Sequence, residues 1–299
     1  MTLEQLRIFV YVAERLHMTR AADALGLTQS AVSAAVKALE AEFGVLLFDR
    51  VGRGLALSEA GRVFLPEATA VLLRARAAEQ SLDDLAGLRR GVLSLAASQT
   101  ITSYWAPGAI ARFADAHPGV AVRLKAGNSA EVARAVLDGD AELGLVEGLV
   151  DDWALLRRPV GGDRVALYAA PSHPLAGAVP DADALRSVHW VLREPGSGTR
   201  SHFERMMVAR GVAPSELRIS LELPSNEAVL SAAGDSRLVA AVSELAAEPF
   251  VATGRVVRLD VIFDPRRFEL LTHKERRLSA AGRTFIGMLP TLPLPPPQP

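Results

Sequence analysis

Between Thr19 and Glu40 the chain reads Thr-Arg-Ala-Ala-Asp-Ala-Leu-Gly-Leu-Thr-Gln-Ser-Ala-Val-Ser-Ala-Ala-Val-Lys-Ala-Leu-Glu, two short helical patterns that meet at Gly26-Leu27-Thr28. Thr19 is expected to cap the first helix, and Gly26 to end it in the left-handed conformation. Thr28 is placed to cap a second helix, whose apolar positions Val32, Val36, Leu39 and Phe43 recur at spacings of three and four. Ala21, Ala22 and Leu25 supply the small face that lets two helices cross closely. A helix-turn-helix meets all these demands, with the second helix shaped to enter a major groove. Ahead of it, Thr2 and Gln5 fit a capping box opening a helix with Leu6, Phe9, Val10, Ala13 and Leu16 on one face. After it, residues 48–57 read as a short hairpin with Arg50 and Arg53 at its turn, a wing placed to meet phosphates. A three-helix core with a basic loop would give the same pattern.

Net charge does not separate these readings. Over residues 1–63, Lys37 and six arginines (7, 15, 20, 50, 53, 62) balance seven acids (Glu4, Glu14, Asp23, Glu40, Glu42, Asp49, Glu59). Nonspecific affinity for a duplex should therefore be modest and strongly dependent on salt. The local candidates are Gln29, Ser30 and Ser33 for base edges, with Thr28 at the start of the same helix, Lys37, Arg50 and Arg53 near the groove, and Arg20 for the backbone.

A chain of 299 residues has room for two or three domains, and 49% hydrophobic against 22% charged residues is a globular balance. With no cysteine, disulfides and thiolate metal sites are excluded. The six histidines (17, 117, 173, 189, 202, 273) show no ligand spacing, so no metal and no cofactor is expected. Pro195-Gly196-Ser197-Gly198 superficially matches a nucleophile elbow, but Pro195 and Thr199 occupy the two positions that need glycine, which argues against an enzyme. Met1 leads directly into an amphipathic helix, and no run of about twenty apolar residues occurs. The expectation is a soluble, cytoplasmic protein without a membrane partner.

From Ser58, a capping residue followed by Glu59, the pattern changes. Phe64, Ala68, Val71, Ala75, Ala78, Leu82 and Leu85 form an apolar seam of the coiled-coil kind over roughly three heptads. Pro66 is expected in the first turns, and the helix to end near Gly87 and Gly91. A core helix of a larger domain is the competing reading; a linker helix over 59–90 that pairs with a second copy is preferred. Such pairing would place two recognition helices on the halves of a palindrome.

Beyond Gly91, strands and helices alternate. Strands are expected at 92–97, 120–125 and 143–146, then at 165–169, 190–192, 219–223 and 238–241; helices are expected at 109–117, 129–137, 199–209 and 227–233. This succession implies parallel sheets in two lobes with a cleft between them. The loops at the strand exits are polar: Ser98-Gln99-Thr100, Gly127-Asn128-Ser129, Gly196-Ser197-Gly198-Thr199 and Ser225-Asn226. Each could simply cap its helix. Four of them at one edge also fit a small anion held by hydroxyls and helix N-termini. The effector candidates are Ser98, Gln99, Thr100, Asn128, Ser129, Gly196, Ser197, Gly198, Thr199 and Asn226. Glu147, at another strand exit, would oppose an anion unless paired with Arg193 or Arg200.

With these motifs in place, the chain resembles the LysR-type transcriptional regulators over about residues 1 to 290. The resemblance rests on Ala21-Ala22, Leu25, Leu27 to Ser33, Leu39-Glu40, Gly44-Val45, Leu47-Phe48, Arg50 and Leu57-Ser58-Glu59-Ala60-Gly61. It implies an α/β protein with a winged helix-turn-helix over 1–58, a dimerising linker helix over 59–90 and a two-lobed, periplasmic-binding-protein-like effector domain over 91–290. Lobe one would take about 91–162 and 267–290, lobe two about 163–266, with a mobile Pro-rich tail at 291–299. It further implies a homotetramer or dimer on promoter DNA, and leaves RNA polymerase open as a further partner. Residues 98–100, 193–200 and 225–227 look like the branch linked to sulfur assimilation, with carbon-fixation regulators nearby. Ala34 departs from the long polar or basic residue common at its position, and Gly234-Asp235-Ser236-Arg237-Leu238 departs from the family's glycine-rich stretch. The rival from another class is a cytosolic solute-binding protein without a DNA role.

Overall fold

Helix ends in the first part of the molecule are set by side-chain caps and left-handed residues. The computed structural model describes residues 1–51, 54–85 and 91–290. The chain divides into two units, Met1–Leu85 and Ala86–Pro299. Helix α1 (Leu3–Arg15) opens on the capping box: Gln5 N donates to Thr2 Oγ1 at 3.1 Å and Thr2 N donates to Gln5 Oε1 at 2.8 Å. It closes at Leu16, whose φ of 47° swings its side chain out of the apolar face, leaving it exposed. Helix α2 (Met18–Leu25) is capped not by Thr19 but by His17, which stays extended and accepts from Arg20 N at 3.4 Å; Thr19 falls inside the first turn. Gly26 ends α2 at φ 67°, and Thr28 Oγ1 accepts from Ala31 N at 3.2 Å to open α3 (Gln29–Phe43).

Ala21, Ala22, Val32, Val36 and Leu39 pack around Phe9, whose ring meets Phe48 at 5.5 Å and Phe64 at 5.1 Å. Burying each large side chain here contributes about 1.5–3 kcal/mol. Phe43, at the last position of α3, is exposed rather than part of that core.

Strands β1 (Phe48–Val51) and β2 (Gly54–Leu57) form the antiparallel hairpin. Arg50 pairs opposite Leu55, so it stands on a strand and not at the turn. Arg53 lies outside the described residues, as do Gly87 and the tail 291–299. Ser58 donates to the Leu46 carbonyl at 2.6 Å and accepts from Gly61 N at 2.9 Å, starting α4 (Glu59–Leu85). A side chain at Gly61 would run into the Leu47 carbonyl, which is why glycine stands there. Pro66 is interior to α4, deeper than the first turns, and leaves the Arg62 carbonyl without its usual donor. The helix begins packed on the helix-turn-helix through Phe64, Leu65, Ala68 and Leu72, while Val71 and Leu82 of the same seam are exposed.

The second unit opens with β3 (Gly91–Ser98) and a π-helical turn, Ile101–Trp105, which the sequence pattern does not announce. There follow α5 (Ala106–Ala116), β4 (Val120–Gly127), α6 (Ser129–Asp138), β5 (Leu143–Val146) and β6 (Leu155–Asp163). The next stretch holds β7 (Val165–Ala169), α7 (Ala182–Ser187), β8 (His189–Arg193), α8 (Gly198–Val208), β9 (Arg218–Leu223), α9 (Asn226–Gly234), β10 (Val239–Ser243), α10 (Glu244–Ala252) and β11 (Val257–Arg258). Finally β12 (Arg266–His273) and α11 (Ala280–Met288) return to the first lobe.

The two five-stranded sheets run β4-β3-β5-β12-β6 and β11-β7-β10-β8-β9. They are mixed, not parallel. The β-α-β portions pair in parallel, but β12 is antiparallel to β5 and β6, and β7 to β10 and β11. The cause is the chain's double passage between lobes, once between β6 and β7 and once before β12. The lobes keep separate aromatic cores, Phe113 against Phe285 in one and Trp190 against Phe203 in the other.

Candidate DNA-binding face and ligand cleft

Helix α3 presents Gln29, Ser30, Ala31, Ala34 and Lys37 to solvent, with Ser33 half-buried beside them. Thr28 Oγ1 lies 3.0 Å from Ser30 Oγ, so the cap also fixes one of the candidate base readers. Arg20 on α2 and Arg50 on β1 are exposed, and among the described residues neither they nor Lys37 have an ion-pair partner. The arrangement offers a polar helix edge flanked by free cations, which is what phosphate contact with groove reading requires.

In the second unit the carboxyl ends of β3, β4 and β5 meet those of β8 and β9 across the cleft. Not every hydroxyl or amide there is a cap. Asn128 Oδ1 accepts from Glu131 N at 3.0 Å and Ser225 Oγ accepts from Ala228 N at 3.1 Å, so these two cap α6 and α9. Ser98, Thr100, Ser129, Ser197, Thr199 and Asn226 are all buried, and none makes a capping hydrogen bond through its side chain, although Ser197 and Thr100 stand at N-cap positions.

Four of these six are spoken for inside the protein. Asn226 Nδ2 donates to Thr100 Oγ1 at 3.0 Å, bridging the lobes. Thr199 Oγ1 accepts from Arg266 Nη1 at 3.0 Å. Ser98 Oγ donates to the Glu147 carboxylate. Gln99 links the same edge, accepting from Arg193 Nη1 at 3.1 Å and donating to Glu227 at 2.8 Å. Ser129 Oγ and Ser197 Oγ remain: both are buried, and neither has a hydrogen-bond partner among the described residues. Ser129 is the first residue of α6 and Ser197 directly precedes α8, so both stand where free N–H groups favour negative charge. Gly196 and Gly198 bracket Ser197. Gly196 has φ 90° and abuts the Asn128 amide, and its carbonyl accepts from Ala130 N at 3.3 Å. A groove of about 610 Å³ runs beside this point, lined by Ser129, Gly148, Leu149 and Gly196, while the two hydroxyl oxygens themselves are closed off from solvent.

Glu147 is paired with neither Arg193 nor Arg200. Arg193 is engaged by Glu194, Gln99 and Asn226, and Arg200 by Glu204 and Glu222. Its neighbour is Arg266, at 4.0 Å, itself buried and held by Asp163 with Nη2 to Oδ2 at 2.9 Å. Burial pushes the Glu147 carboxyl above the usual carboxylate range, against the pull of Arg266. Ser243 also donates to Asp163, completing a buried cluster where β6, β7 and β12 pass between the lobes. Arg266 and Asp163 are absent from the sequence-based site. Among the described residues no group of histidines and acids forms a metal centre, and no helix is long and apolar enough to cross a membrane.

The sequence pattern of the bacterial regulatory helix-turn-helix protein, LysR family, matches residues 3–62, and that of the LysR substrate binding domain matches residues 86–292. The chain belongs to the LysR family of transcriptional regulators. It is 34% identical to HTH-type transcriptional regulator YeiE of Escherichia coli (strain K12) over 288 residues, 95% of this chain and 96% of the relative. It is also 34% identical to the RuBisCO operon transcriptional regulator of Allochromatium vinosum, over 95% of this chain and 94% of that one. The carbon-fixation side of the resemblance is thus represented. Among solved structures, full-length CbnR complexed with target DNA matches at TM-score 0.64 and 22% identity, covering 97% of this chain and 99% of that one, a likeness of fold. The regulatory domain of Synechocystis PCC6803 CcmR in complex with 2-PG matches at TM-score 0.60 and 26% identity, covering 66% of this chain and 95% of that one. This LysR regulator therefore pairs a DNA-binding helix-turn-helix with a two-lobed effector domain, which removes the solute-binding protein without a DNA role.

Proposed function

We propose that this regulator binds promoter DNA as a dimer or tetramer in the cytoplasm and answers to a small anionic metabolite, without catalysing a reaction. The observation that carries the effector reading is the pair of buried, unpartnered hydroxyls of Ser129 and Ser197 at the N-termini of α6 and α8. A buried hydroxyl left unpaired costs about 1–3 kcal/mol, so a ligand oxygen that satisfies both is strongly favoured there. Ser98, Thr100, Thr199 and Asn226 surround the place, and Gln99, Asn128, Gly196, Gly198 and Glu147 shape it. The anion bound by the CcmR regulatory domain supports the same ligand class. Thr28, Gln29, Ser30, Ser33, Lys37 and Arg50 are assigned to DNA, with Arg20 on the backbone; Arg53 extends the wing. The exposed seam of α4, Val71 and Leu82, supports pairing with a second copy.

Titration calorimetry with sulfite, sulfate, phosphate, 2-phosphoglycolate and short dicarboxylates tests the reading. At least one should bind saturably, and the Ser129→Ala, Ser197→Ala double variant should lose that binding while its melting temperature holds. Undiminished binding in the double variant refutes the assignment.

A further inference from the structure

Gly148 follows β5 in the first lobe, and Gly198 is the first residue of α8 in the second. A Cβ built on Gly148 would come within 2.9 Å of Gly198 Cα and 2.9 Å of Ser129 Oγ. One built on Gly198 would come within 2.7 Å of both Gly148 Cα and Ser129 Oγ, and closer still to Gly148 N. Neither glycine has a positive φ, so the backbone at both positions accepts any residue. At Gly198 every atom that excludes a side chain belongs to the other lobe; at Gly148 the Cβ and Oγ of Ser129, in its own lobe, stand as close as Gly198 Cα. Two bare backbones touch only when the lobes are shut, and an alanine at Gly198 would run into the Gly148 backbone, which cannot step aside.

We infer that Gly148 and Gly198 form a steric gauge that sets how far the lobes close and thereby restricts the effector to a small anion. The inference rests on the anion reading above and adds the specificity-determining pair. With the glycines in contact, the Ser129 and Ser197 hydroxyl oxygens are closed off from solvent. A bulkier ligand holds the backbones apart and forfeits the second lobe's hydroxyl.

The chain has no cysteine, so spin labels can be attached at Asp115→Cys on α5 and Val208→Cys on α8, both exposed. In the ligand-free full-length protein, Gly198→Ala should lengthen the inter-label distance by several ångströms. Gly108→Ala, whose Cβ would meet only Arg112 Nη1 at 3.5 Å, should leave it unchanged. An unaltered distance in Gly198→Ala, with native melting behaviour, overturns the gauge whatever the ligand proves to be. The second arm is calorimetry with inorganic phosphate, where Gly198→Ala should bind at least ten-fold more weakly than wild type. Wild-type protein that ignores phosphate speaks against the anion reading alone, and the label distances still decide the gauge.

Discussion

On the N-terminal unit, charge is distributed by pairing and not by number. Glu4 holds Arg7 at 2.8 Å, Glu14 holds Arg15 at 2.9 Å, Glu59 holds Arg62, and Glu42 takes the terminal ammonium at 2.6 Å. Among the described residues Arg20, Lys37 and Arg50 are left without an ion-pair partner, which the near-zero sum over residues 1–63 conceals. Lys37→Ala and Arg50→Ala should each weaken operator binding and lower the slope of log K against log salt by about 0.9, if each removes one phosphate contact. Shift assays over a salt series measure this, and anion affinity should not change. A slope equal to wild type would remove that residue from the interface. In the effector unit the residue of most consequence is Arg266. Arg266→Met strands Asp163 and Glu147 in the interior and should cost about 3–5 kcal/mol in urea unfolding, with a second change, Asp163→Leu, restoring part of it. Loss of less than 1 kcal/mol would mean that water reaches the cluster. Nothing in the sequence marks this arginine, because it meets Asp163 across 103 positions of chain, and local spacing carries no trace of such a pair.

Elements with local signals were legible, and elements defined by distant partners were not. The helix-turn-helix could be read because Thr28 and Gly26 act within one turn of their own positions. Thr19 misled because His17, an uncommon cap, stands two residues earlier in extended backbone. Strand β6, Leu-Leu-Arg-Arg-Pro-Val-Gly-Gly-Asp, hides behind proline and glycine and owes its place to β12, whose pairing breaks register between Phe268 and Glu269. The polar cleft loops were visible as a group; their division into caps, internal ligands and free hydroxyls needed coordinates. For α4 the seam was readable, and the pairing proposed for it is tested at Leu82, which is 68% exposed at a heptad position although an apolar side chain there is expected to be covered. Leu82→Asp should shift the protein to a lower mass in sedimentation and weaken binding to a palindrome more than to a half-site. The helix-turn-helix core should survive, since Leu82 is not among its contacts. An unchanged mass would place the interface elsewhere.

At the scale of the whole molecule, the two units should differ in their response to acid. His173, His202 and His273 all lie in the second unit, and burial lowers the affinity of each for its proton below the ordinary histidine value of 6.5. For His202 the Arg266 guanidinium adds to the effect. The unfolded chain binds these protons more readily, so their contribution is intact above 6.5 and drains away as pH falls through that value toward the folded ones. Glu147 and Asp138, both raised by burial, act in the opposite sense: they favour the fold when protonated and lose that contribution as pH rises through their folded values. Their protonation therefore offsets part of the fall. All three tryptophans, Trp105, Trp153 and Trp190, also belong to the second unit, so indole fluorescence reports its unfolding alone. The fluorescence midpoint in urea should decline as pH is lowered from 7.5 to 5. His202→Gln keeps a donor for the Asp264 carbonyl, which lies 3.1 Å from His202 Nε2, and loses the titration. That variant should show a shallower decline than wild type; if the two slopes coincide, His202 takes no part in the acid response.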